Sequence, residues 1–200
     1  MRRFLHLPGE RLTLAELTAA RLDGDVVELG EAYAPADLVE TSALRAASLA
    51  PLISSVRGAA FAGMSAAWIH GAGDAPPERH ELQSAEGKRL RAPSSGRFLV
   101  HDPVLEPVDL LRFGGTAVAG AVRTLIDLVR WPVTIPERLD WAHGLVQVDP
   151  GLLARAAKRV AGMHHGPGHR RVVLFLAEYG TRADQDPAPE SRREHGVRTT

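Results

Sequence analysis

The chain has 200 residues, 44% of them hydrophobic and 24% charged, with 24 Lys plus Arg balancing 24 Asp plus Glu for a formal net charge of zero. It has no cysteine, which excludes disulfides, thiolate nucleophiles and cysteine-based zinc or iron–sulfur sites, and the balanced charge gives no long-range pull on nucleic acid. No apolar run reaches the roughly 20 residues of a spanning helix, and the start Met1-Arg2-Arg3-Phe4-Leu5-His6-Leu7-Pro8 lacks the apolar stretch of a secretory signal, so a cytoplasmic location is expected.

In chain order, residues 12–22 place Leu14, Leu17 and Leu22 near one helical face, and Thr13 with Glu16 has the spacing of a capping box. Asp23-Gly24-Asp25 ends that helix, and residues 26–33 read as a hairpin before Pro35. A helix followed by a hairpin is the closing part of a winged helix. Residues 42–56 and 58–70 read as two Ala-rich helices, the second stopping at His70-Gly71. His80–Gln83 and Arg97–His101 are expected as a hairpin joined by a basic loop, further extended pieces lie within 104–118, and Phe113-Gly114-Gly115-Thr116 is a turn. Helices are expected at about 120–130, 136–146 and 150–162, with Trp131-Pro132 ending the first. Residues 171–179 are read as a final helix, with a strand as the alternative because Val172 and Val173 are β-branched.

The fold class expected is α+β: a small N-terminal helix-plus-hairpin, a winged-helix remnant over residues 1–40, followed over 41–180 by an α/β region with a short, mainly antiparallel sheet and several helices. Residues 181–200 carry few apolar groups and are expected as a mobile tail.

No catalytic set assembles from these residues, and the chain is read as a binding protein rather than an enzyme, with no cofactor and no metal. His164, His165 and His169 lie among Gly and Pro with no acidic residue between them, a poor start for a zinc site. Asp184-Gln185-Asp186 resembles a magnesium-binding carboxylate pair but sits in a polar tail without a phosphate loop. Ser65 lacks the Gly-x-Ser-x-Gly elbow and reads as a cap or first-turn residue of its helix. Arg123 and Asp127, one helical turn apart, read as a buried structural pair with partner binding as the alternative.

Three words in order resemble the AbiEi antitoxins of type IV toxin–antitoxin systems, particularly actinobacterial members: Leu29-Gly30-Glu31-Ala32-Tyr33-Ala34-Pro35, Met64-Ser65-Ala66-Ala67-Trp68-Ile69-His70-Gly71 and Arg123-Thr124-Leu125-Ile126-Asp127-Leu128. The resemblance covers roughly residues 12–180. It makes Ser65, His70, Arg123 and Asp127 family-motif positions. It implies a cytoplasmic transcriptional regulator whose N-terminal winged helix binds its own promoter DNA, and a C-terminal region that neutralises a nucleotidyltransferase-like toxin. DNA contacts would then come from Arg2, Arg3, Arg11 and Arg21, with Thr13 and Thr18 as hydrogen-bond donors. Asp23, Asp25, Glu28 and Glu31 at the wing would repel phosphate, which shifts the binding function toward the region after residue 58. There Lys88, Arg89, Arg91 and Arg97 form the denser basic patch, facing a protein partner or nucleic acid. Pro189-Glu190-Ser191-Arg192-Arg193-Glu194-His195-Gly196-Val197-Arg198 resembles the entry to a very-short-patch-repair endonuclease domain. This implies an alternative reading as the non-catalytic N-terminal part, a scaffold, of such a fusion.

Overall fold

A computed structural model describes residues 4–91, 96–102, 104–131, 137–164 and 166–185. It shows an α+β protein. Helix α1 (Leu14–Leu22) starts on the capping box: Glu16 N–H donates to Thr13 Oγ1 at 3.2 Å, and Thr13 N–H donates to Glu16 Oε2 at 2.7 Å. Of its three leucines only Leu17 is buried, while Leu14 and Leu22 stand in solvent. Strands β1 (Val26–Leu29) and β2 (Ala32–Pro35) form an antiparallel hairpin around Gly30-Glu31. Gly30 has φ +58°, and a Cβ there would lie 2.5 Å from Ser48 Oγ, so both the turn and the packing demand glycine. The chain at His6 pairs with Tyr33 through two backbone hydrogen bonds of 2.8 and 2.9 Å. The hairpin's inner residues Leu29, Ala32 and Ala34 join Leu5 in one apolar cluster with helix α2 (Ser42–Ile53) and strand β3 (Ala59–Phe61).

Strand β3 corrects the expectation of a helix over 58–70. Residues Ala59, Ala60 and Phe61 pair antiparallel with β4 (His80–Ser84), and on the other side Phe61 pairs parallel with Val118 of β7 (Thr116–Ala119). Their helix-favouring composition yields to two ladders and complete burial. Helix α3 is accordingly short, Gly63–Ile69, and wholly buried.

The five-stranded sheet has the order β5-β4-β3-β7-β6, with β5 at Phe98–His101 and β6 at Leu110–Phe113. It is mixed: β3/β4 and β6/β7 are antiparallel, β3/β7 and β4/β5 parallel. The basic segment after β4 is therefore a crossover, not a hairpin loop. Residues 85–97 are long enough to return the chain to the start of the next strand, which parallel pairing requires, and Leu90 anchors the crossing on the apolar cluster. The expected turn does join β6 to β7, with Gly114 and Gly115 both at positive φ.

Helices α4 (Ala121–Arg130), α5 (Arg138–Val148), α6 (Leu152–Ala161) and α7 (His169–Gln185) build a second apolar cluster around Leu125, Leu128, Leu145, Leu152 and Phe175. The last segment is a helix rather than a strand, with Val172 and Phe175 as its buried positions, and it runs to Gln185, into the stretch expected as tail. Helix α3 is common to both clusters: Trp68 and Ile69 enter the first, Met64 and Ala67 the second. No helix among the described residues is long and apolar enough to cross a membrane.

Candidate functional site

Alternation along β4 sends Leu82 into the first apolar cluster and puts Glu81 and Gln83 together on the opposite face. There they meet charges from β5, α4 and α5. Arg138, at the first position of α5 and almost fully buried, is ion-paired to Glu81. His101 Nε2 lies 2.6 Å from Glu81 Oε2 and 3.1 Å from Arg138 Nη2. The other oxygen, Glu81 Oε1, accepts from the Met64 N–H in the first turn of α3 at 3.3 Å. Gly63 makes this approach possible: at φ +49°, any Cβ would fall 2.1 Å from Glu81 Oε2.

The polar chain continues along α4. Asp127 Oδ2 accepts from Gln83 Nε2 at 3.2 Å and from Arg123 Nε at 2.8 Å. Arg123 also lies 3.5 Å from Asp109, which is 3.3 Å from Arg159, itself 3.0 Å from Glu106. Burial pushes the Asp127 carboxyl above the ordinary carboxylate range, while the Arg123 guanidinium pulls in the other direction. Gln83 Oε1, Asp127 Oδ1 and Arg138 Nε are buried without a protein partner among the described residues.

Motif residues Ser65 and His70 have other tasks. Ser65 Oγ accepts from Glu81 N–H at 3.1 Å and lies 3.2 Å from His80 Nδ1, so it ties the first turn of α3 to β4; the helix itself has no side-chain cap. His70, at the end of α3, places Nε2 2.7 Å from the Ala119 carbonyl. Burial depresses the His70 pKa, leaving a neutral ring that donates to that carbonyl. Burial likewise lowers His80 from 6.5 to about 4.

The acidic and basic groups of this network are paired off against one another, and it reaches solvent at one end through Arg159 and Glu106 and at the other through His101, about one-fifth exposed and stacked on Trp131 at 6.0 Å. Outside it lies a cleft of about 650 Å³ at the carboxyl ends of β4 and β5, bounded by Ser84, the crossover residues Gly87, Lys88 and Arg89, and Val100, His101 and Asp102. Lys88, Arg89 and Arg91 are exposed and in no ion pair among the described residues, whereas Arg97 is committed to Glu31 at 2.6 Å. Of the basic patch, Lys88 and Arg89 line the cleft together with one acid, Asp102, while Arg91 stands exposed next along the chain.

No family model and no curated protein matches the sequence. Among solved structures, the chain is similar to the Rv2827c protein from Mycobacterium tuberculosis, with a TM-score of 0.46 and 19% identity over 83% of this chain and 64% of that one. The chain thus spans just under two-thirds of that neighbour's length, and the match carries no argument on function.

Three of the six N-terminal candidates are engaged within the helix-plus-hairpin. Thr13 is consumed by the capping box, Thr18 Oγ1 donates back to Leu14 C=O at 2.7 Å, and Arg21 pairs with Glu28 at 3.3 Å. Arg11 is exposed; Arg2 and Arg3 lie outside the described residues, as do His165, Asp186 and the 189–198 motif. His164 and His169 border a small gap beside Arg130 and Met163, and no group of three metal-ligating side chains occurs among the described residues. Sequence reasoning missed Glu81, Gln83, His101, Asp109 and Arg138. A polar-apolar-polar alternation, Glu81-Leu82-Gln83, was the available signal for the first two; Arg138 had none.

Proposed function

We propose that this chain is an antitoxin-like binding protein, which engages an acidic surface of a partner protein through the cleft at the carboxyl ends of β4 and β5. The observation that carries this reading is the contrast between buried charges, which neutralise one another, and Lys88, Arg89 and Arg91, which stand exposed with no ion-pair partner among the described residues. Exposed cations at a cleft steer an oppositely charged partner and fix its register. The resemblance to the AbiEi antitoxins supports a nucleotidyltransferase-like toxin as that partner.

The test is co-expression with the product of a neighbouring nucleotidyltransferase-like gene. Co-purification and rescue of growth are expected, both weakened in the Lys88→Glu/Arg89→Glu double variant. Failure of the unaltered chain to bind or rescue would sink the reading. Promoter DNA is the less favoured partner, because Thr13, Thr18 and Arg21 are internally bonded and Asp23, Asp25 and Glu28 are exposed beside them. An electrophoretic shift with the gene's own upstream sequence should show no salt-sensitive complex at low ionic strength; such a complex would restore the regulator role.

A further inference from the structure

Strand β5 lies at one end of the sheet and is hydrogen-bonded to β4 alone. The register His80↔Phe98 and Leu82↔Val100 is parallel, and His80 N–H donates to the Arg97 carbonyl. In a parallel ladder each residue bonds the two neighbours of its partner, so His80 and Leu82 engage Arg97, Leu99 and His101. The N–H and C=O groups of Phe98 and Val100 therefore point away from the sheet. Neither residue has a hydrogen-bond partner on that side among the described residues. Natural sheets blunt such an edge with proline, a bulge or charge on the strand itself, and Phe98-Leu99-Val100 carries none of these.

This open edge adjoins the cleft: Val100 and His101 line it, with Lys88 and Arg89 across from them. We infer that an extended acidic segment of the partner adds to β5 as a further strand, pairing its backbone with Phe98 and Val100 and setting its carboxylates against Lys88 and Arg89. Main-chain pairing supplies the affinity in this mode, and side chains at alternate positions supply the selectivity. The same charges disfavour a second copy of the chain in that place. Its β5 offers no carboxylate, and edge-to-edge pairing would bring two sets of Lys88 and Arg89 together. The inference rests on the partner-binding reading above and specifies its geometry.

A fluorescein-labelled peptide of alternating valine and glutamate serves as the probe, with the full chain as receptor. Binding read by anisotropy should weaken with added salt and slow hydrogen exchange at the Phe98 and Val100 amides. Val100→Pro removes an outward N–H without touching the ladder, so it should lower affinity about tenfold with the melting temperature unchanged, as loss of main-chain bonds would. The same peptide N-methylated at alternate residues gives a second measurement on the unaltered protein, and one of its two registers should fail to bind. Absence of binding, binding without protection of the two amides, or equal binding of both N-methylated registers would overturn the added strand. If Val100→Pro still co-purifies with the toxin while Lys88→Glu/Arg89→Glu does not, the basic surface stands and the strand falls. If the unaltered chain captures no toxin, the partner reading falls first.

Discussion

At the scale of single residues, the Glu81–Arg138 pair is the most consequential contact. Two charges withdrawn from water are tolerated because each neutralises the other and His101, Met64 N–H and the Asp127 carbonyl take up further bonding capacity. Removing one partner strands the other. Glu81→Gln or Arg138→Met alone should lower stability by roughly 3–5 kcal/mol, as breaking a buried pair does. The double variant Glu81→Leu/Arg138→Met should cost much less than the sum, measured as a double-mutant cycle by urea denaturation. Equal, additive losses would show that the two charges do not interact. His80 gives a pH signature. Its pKa is about 4 in the folded chain, against 6.5 for the ordinary group, so the unfolded chain binds more protons between those values. Stability should be full above about pH 6.5 and decline as pH falls toward 4. His80→Gln should flatten that decline in a series of thermal melts, leaving the part owed to His70, which burial shifts in the same direction.

At the scale of elements, what could be read from sequence depended on how local the cause was. The capping box of α1, the Gly114-Gly115 turn and the positions of α4, α5 and α6 follow from neighbours within a few residues, and the structure agrees with the reading at each. Strand β3 did not reveal itself, because Ala59-Ala60-Phe61 is buried on both faces and has no alternation to separate it from the Ala-rich helix that follows. Parallel pairing of β4 with β5 was equally hidden, since alternation marks a strand without naming its neighbour. The site divides in the same way. Arg123 and Asp127 are one helical turn apart and visible as a pair, whereas Glu81 meets His101 and Arg138 across separations of 20 and 57 residues that topology alone closes. Gly63 joins both levels: Gly63→Ala would need a side chain in left-handed backbone and a Cβ on the Glu81 carboxylate. It should destabilise by more than the roughly 1–3 kcal/mol of backbone strain alone, and guanidinium unfolding will measure it.

At the scale of the whole molecule, α3 links the two apolar clusters, so neither can loosen without the other. Trp68, fully buried and with the Arg45 guanidinium 5.0 Å from its ring centre, is the largest side chain on that link. Trp68→Ala should cost about 3–5 kcal/mol, the usual range for a large aromatic in a core. Calorimetry should still record one cooperative transition, shifted to lower temperature; two separated transitions would mean that the clusters melt independently. The balanced net charge fits this construction, with cations buried against anions inside and a local excess of cations on the surface around Lys88.

The crossover between β4 and β5 also sets an order of events. A hairpin zips from its turn, but a parallel strand has no adjoining turn to start from, and β5 can find β4 only after the chain has crossed back and Leu90 has docked. The strand at the edge of the sheet should therefore be the last to join and the first to leave. Native-state hydrogen exchange would register this as faster opening of Leu99 and His101 amides than of those in β3, giving the chain a margin that detaches and re-forms while its centre stays folded.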